Sequence, residues 1–125
     1  MKRHVFLLSS TVLLCSFSFA APKDETFKGE IMDPQCAMNG SHVGMLKKVG
    51  LGDKDPNDPI TKKMCTETCI KMGGKYVLYD AASKKVYQLD DQTRVKQFTG
   101  QNVKVTGTLD KAGEKIHITN IEPGS

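Results

Sequence analysis

"DDQTRVKQF", Asp90–Phe98, interrupts a region in which apolar and polar residues otherwise alternate, and it does not itself alternate. Asp90 or Asp91 stands where an N-cap belongs and Gly100 follows as a stop, which predicts a short helical segment. Before it, "KYVLYD" (75–80) and "KVYQL" (85–89) have a period of two and are joined by the short polar stretch "AASK", the pattern of a β-hairpin. After it, "NVKVTGTLD" (102–110) places Val103, Val105 and Leu109 on one face. "KIHITNIE" (115–122) does the same with Ile116 and Ile118, and "KAG" makes the turn between them. Further upstream, "TFKGEIMD" (26–33) alternates Phe27, Gly29 and Ile31 with Lys28, Glu30 and Met32, a half-buried strand that Asp33-Pro34 ends.

Five strands with a helix between the third and fourth is the order of an OB-fold barrel. Gly29 and Gly107 fall mid-strand, where a small barrel bends its long strands. The expected fold is therefore mainly β with short helices, an OB-fold-like five-stranded barrel with a helical insert at about 35–74, between strands 1 and 2. An open α+β sheet with its helices on one face is the competing arrangement. Within the insert, Ser41 is placed to cap a short helix through Lys48 that Gly50 and Gly52 close. Asp58-Pro59 supplies an N-cap and a proline at the first helical position of a second helix, stopped by Gly73-Gly74.

The N-terminus decides what the thiols can be. Lys2, Arg3 and His4 precede an apolar run from Val5 to Cys15, and small residues end at Ala20, the layout of a secretory signal cleaved after Ala20. A signal that makes Cys15 a lipidation site is the rival, but Leu13 and Leu14 stand where it needs a small residue. No stretch approaches the roughly 18 apolar residues of a membrane span. The expected mature chain, residues 21–125, is one domain in the periplasm or outside the cell. Removing 1–20 takes two basic residues and no acidic one, so 18 basic residues against 14 acidic become 16 against 14. So small an excess does not imply nucleic acid or anionic lipid as a partner, and no nucleic-acid partner is expected.

"GEIMDPQC", His42, "CTETC", "GGKYVLYD", "KVYQLD", "FTGQNVKVTGTLD" and "KIHITNIE" together resemble a group of small exported bacterial proteins of unassigned function, over nearly the whole mature chain. The resemblance implies an OB-like barrel with a Cys/His-bearing insert and brings no activity. A looser similarity is to small periplasmic bacterial OB-fold proteins, which lack this cysteine set.

Beyond the signal, the cysteines are Cys36, Cys65 and Cys69, an odd number in an oxidising compartment. Cys65 and Cys69 in "MCTETC" stand one helical turn apart, with Cβ atoms roughly 6 Å from each other, too far for a mutual disulfide. Three readings are open. Cys36 with Cys65 or Cys69 makes a disulfide closing a loop of about 30 residues, stabilising by roughly 3 kcal/mol and leaving one thiol free. Alternatively Cys36, His42, Cys65 and Cys69 form a Cys3His metal set, for zinc at a closed tetrahedral site or for copper(I), which accepts fewer thiolates and recruits thioethers. Met32, Met38, Met45, Met64 and Met72 are available for that, although a methionine on an inner helix face is more often core filling. A thiol activated by Lys62, Lys63 or His42 is the third reading, with a spacing that differs from the redox C-x-x-C motif.

Other motifs fall away. Asp53, Asp55 and Asn57 begin a calcium-like loop that lacks its glycine and closing glutamate, no nucleophile elbow or phosphate loop occurs, and His117 alternates outward on its strand. Tyr76, Tyr79 and Tyr87 on the hairpin are a candidate binding face for a small ligand, peptide, glycan or protein partner, or else tyrosines that close the barrel. The expectation is an exported binding protein, not an enzyme. Its insert either holds a soft metal ion, zinc or copper, or is stapled by a disulfide while the barrel face does the binding.

Overall fold

The computed structural model describes residues 16–18 and 20–125, so most of the expected signal lies outside the described residues. The chain runs β1 (Glu25–Met32), α1 (Pro34–Asn39), α2 (Val43–Lys48), α3 (Pro59–Lys71), β2 (Val77–Asp80), β3 (Lys85–Leu89), α4 (Gln92–Val95), β4 (Asn102–Leu109) and β5 (Lys115–Pro123). The strands close into a ring in the order β1-β2-β3-β5-β4, with β4 returning to β1. All neighbours are antiparallel except β3 and β5, which pair in parallel only through Gln88–Lys115 and Leu89–Ile116. The sheet is thus mixed, and a short parallel seam completes it.

The stretch that interrupts the alternation forms α4 and a 3-10 turn, Lys96–Phe98, with the Asp91 side chain accepting from the Arg94 N–H. Val95 on α4 is fully buried among Phe27, Ile31, Leu78, Val103, Val105 and Ile116, so this segment fills the interior of the ring. Tyr76 and Tyr87 belong to the same core, with Phe27 and Tyr87 packed edge to face at 5.2 Å. Tyr79 is half-buried against the insert. The three tyrosines therefore share no exposed face, and two of them close the interior instead.

The insert differs from expectation in two ways, each with a physical cause. Residues 34–39 form a helix where the sequence pattern predicts only the end of a strand. Asp33 caps it by accepting from the Gln35 and Cys36 N–H groups at 3.0 and 3.1 Å, with Pro34 at the first turn and Gly40 closing it at φ 67°. The cap and proline are the same device that starts α3 at Asp58-Pro59. Second, Glu30 and Met32, which strict alternation sends to solvent, are buried. The insert folds over the outer face of β1 and builds a second core there from Met32, Cys36, Ala37, Met45, Leu46, Cys65, Cys69 and Val77. That end of β1 is thus covered on both faces.

One glycine fixes how the insert docks. Gly100 has φ +73°, and a Cβ there would lie 2.6 Å from the Lys63 nitrogen of α3. Its N–H donates to the Ile31 carbonyl at 2.8 Å, so the turn into β4 touches β1 and the α3 backbone together. A side chain at this position would prise α3 away from the ring.

Candidate metal centre

The second core is apolar except at one place, where it holds several groups able to bind a cation. Cys36 lies on the first turn of α1, His42 at the N-cap position of α2 and Cys65 in the middle of α3. Their ligand atoms lie within 4.8 Å of one another, and all three residues are buried. Three of the four residues expected from the sequence thus converge. Cys69, one turn beyond Cys65, is buried next to this group but outside it.

The three thiols are free. Cys36 Sγ and Cys65 Sγ are 3.8 Å apart, far beyond the roughly 2.05 Å of a disulfide, so the expected staple of Cys36 with Cys65 or Cys69 is not formed. The same distance has a different chemical meaning. Two thiolates at 2.3 Å from a tetrahedral ion stand about 3.8 Å apart, and about 4.0 Å apart around a trigonal one.

The histidine is oriented as a metal-binding histidine is. Its Nε2 lies 2.7 Å from Glu30 Oε1, and because a carboxylate only accepts, Nε2 carries the proton. In the neutral imidazole Nδ1 is then the lone-pair nitrogen, and Nδ1 is buried with no hydrogen-bond partner. A carboxylate behind the imidazole fixes the tautomer and raises the basicity of the free nitrogen. Glu30 is held in turn by Lys62, whose Nζ donates to Oε2 at 3.0 Å. Among the described residues the unpartnered buried side-chain atoms are Asp33 Oδ1, His42 Nδ1 and Thr66 Oγ1, all within or at the edge of the insert. Each such buried atom is costly unless it finds a partner.

Glu30 and Asp33 carry no sequence signal of a site, and Lys62 enters the sequence reading only as a thiol activator, not as the partner of Glu30. Glu30 sits at an outward position of an alternating strand, and only the covering insert turns it inward. We expect Glu30→Gln to weaken metal binding by about 10–100-fold without removing a ligand, the usual consequence of losing an outer carboxylate, as measured by competition with a chromophoric chelator.

Burial shifts the thiols in one direction. It pushes the Cys36 thiol far above the ordinary thiol range, with the neighbouring Asp33 carboxyl adding to the effect, and it also raises Cys65. Cys69 is pushed up to about 12, first by burial and then by the charge of Asp33. A thiol kept protonated is a poor nucleophile, which counts against the activated-thiol reading. The raised values also set a pH dependence. Thiols with folded values above their unfolded ones contribute stability that is fully present below about pH 8.5 and is lost as pH rises toward the folded values. The metal-free protein should therefore lose melting temperature steadily above about pH 9, whereas bound metal, which holds thiolates, should flatten that slope. Thermal scans at several pH values with and without a chelator check this.

His117 is exposed as expected, and its Nδ1 is paired with Asp90 Oδ2 rather than free in solvent. Among the described residues, no helix is long and apolar enough to cross a membrane. No protein-family model matches the chain, nor does any curated protein or solved structure.

Proposed function

We propose that this chain is an exported metal-binding protein whose insert holds one soft ion, zinc or copper, through Cys36, Cys65 and His42. The observation that carries the reading is the buried, partnerless Nδ1 of a histidine whose other nitrogen is fixed by Glu30, beside two unbonded thiols at the spacing of two metal-bound sulfurs. Singly, each of these features occurs in proteins that bind no metal. Together they set three donors around one point with an outer shell in place. Neither thiol is hydrogen-bonded to His42 Nδ1 and burial disfavours both thiolates, so the proposed role is binding rather than catalysis.

Export is supported by the sequence of residues 1–20 and by the resemblance to small exported bacterial proteins. An OB-like barrel is supported by the ring order β1-β2-β3-β5-β4 and by α4 between β3 and β4, with its valine inside the ring. On this reading the barrel is a scaffold, and the ion sits in the insert where it folds back on β1.

The test is the intact mass of protein purified from an exporting host without chelators, native and denatured, with thiol alkylation before and after reduction. The expected result is a native mass carrying one metal ion, with three thiols alkylated once the ion is stripped without reductant. A metal-free mass lighter by two hydrogens, with one alkylated thiol, overturns the reading and makes the cysteines a structural staple.

A further inference from the structure

The buried site has two approaches, and they differ in charge. One lies beside His42 and Glu30, and Lys62 lines it with its ammonium group. The other is a cleft of about 320 Å³ between the start of α1 and the end of α3, lined by Asp33, Gln35, Cys69 and Met72 among others and by no basic residue. In the first the Lys62 ammonium and the Glu30 carboxylate neutralise each other, whereas the second presents a carboxylate with no basic partner, so a cation is drawn to the second.

We propose that this second cleft is the loading port of the site and that it selects copper(I), which Met72 and Cys69 receive at the surface and pass inward to Cys65, Cys36 and His42. The proposal rests on the metal-binding reading above and deepens it by naming the ion and its route. Met72 is an exposed methionine, 66% accessible, at the C-terminal end of α3, and its side of the helix lines the cleft. Cys69 is 6% accessible and lines the same cleft. Residues 65, 69 and 72 follow one another at helical spacings of four and three, so their sulfurs form one row along α3 from the mouth to the interior. Asp33 is 1% accessible, lines the cleft and keeps Oδ1 without a partner, while its Oδ2 holds the backbone of Cys36. An unpaired carboxylate oxygen at this depth offsets the cost of bringing a cation into apolar surroundings.

Transfer along the row is ligand exchange with no change of oxidation state. At each step a bond from copper to an incoming sulfur, or at the end to the His42 nitrogen, forms as a bond to the outgoing donor breaks. A thiol that binds the ion releases its proton to water in the cleft, and the Cys69 thiolate takes one up again when the ion moves on. Copper(I) suits this chemistry because thioether and thiolate are both soft donors, whereas zinc gains little from a thioether.

Stopped-flow transfer of copper(I) from its bicinchoninate complex tests the port, with equilibrium affinity measured in parallel and zinc from a chromophoric chelator as the control ion. Met72→Leu and Cys69→Ser should each slow copper(I) loading by about tenfold with unchanged final occupancy, and Met72→Leu should leave zinc loading unaltered. Loading of both variants at the wild-type rate overturns the port. Loss of equilibrium binding in Cys69→Ser also overturns it, by making Cys69 a resident ligand. Wild-type protein that binds neither ion refutes the metal-binding reading itself, and the port falls with it.

Discussion

Cys36→Ser should lower the affinity for copper(I) or zinc by at least about 100-fold, more than the loss expected on removing an outer-shell partner. The side chain that replaces the thiol is smaller and nearly isosteric, so the apolar neighbours Met32, Leu46 and Val77 lose little contact. What disappears is one of the two sulfurs that stand 3.8 Å apart, leaving Cys65 and His42 as a pair of donors. A hydroxyl binds soft ions far more weakly than a thiolate. Competition titration against a chromophoric chelator reads the effect, and circular dichroism establishes that the variant is folded. Wild-type affinity in the folded variant would remove Cys36 from the site and with it the main argument for a metal there.

Gly107→Ala should strongly destabilise the ring. A Cβ at this position would lie 2.1 Å from the His117 carbonyl oxygen and 3.0 Å from its carbon. Both are backbone atoms of the neighbouring strand, so no rotamer change relieves the overlap and β4 must part from β5. The position adjoins the irregularity between Thr106 and Gly107, where the longest ladder of the sheet bends. The expected loss is about 3 kcal/mol or more, the upper range of over-packing, which for a domain of this size lowers the melting temperature by on the order of 12–20 °C. Gly44→Ala is the matched control. Its nearest contact would be the Asn39 amide at 3.9 Å, and alanine in α2 should leave stability unchanged or raise it by up to about 1 kcal/mol. Equal melting of the Gly107→Ala variant and the wild type would mean that β4 and β5 do not approach as described.

Much of this arrangement is legible in the residues, and the illegible parts share a cause. The alternation of Val103, Val105, Ile116 and Ile118 and the capped segment after Asp91 are local signals, and the chain obeys them. The closure of the ring by β1 with β4 and by β3 with β5 joins segments whose sequences carry no mark of each other. Glu30 and Met32 depart from their pattern for a related reason, since alternation predicts a face and not what will cover it. The helix at 34–39 departs for a different one. Asp33-Pro34 carries the same start signal as Asp58-Pro59, but here it follows a strand directly and has the form of a stop. The site is partly legible in the same way. Helical spacing pairs Cys65 with Cys69, and residue type adds Cys36 and His42 to complete the set. Only folding separates Cys69 from the tight group and brings Glu30 up behind the imidazole.

The pairing of Glu25 with Gly107 also bears on when this protein acquires its shape. The hairpin of β2 and β3 and the helix α3 need only neighbouring residues, whereas β1 must wait for a strand near the other end of the chain. Such distant contacts place folding among the slower, millisecond-to-second cases, with ring closure late. Until β4 arrives, one edge of β1 is an open row of hydrogen-bonding groups able to pair with another copy. If the chain is exported as proposed, it presents that edge first and its partner last. Assembly is then a race between closing the ring and meeting a second molecule, and a dilute environment favours the ring.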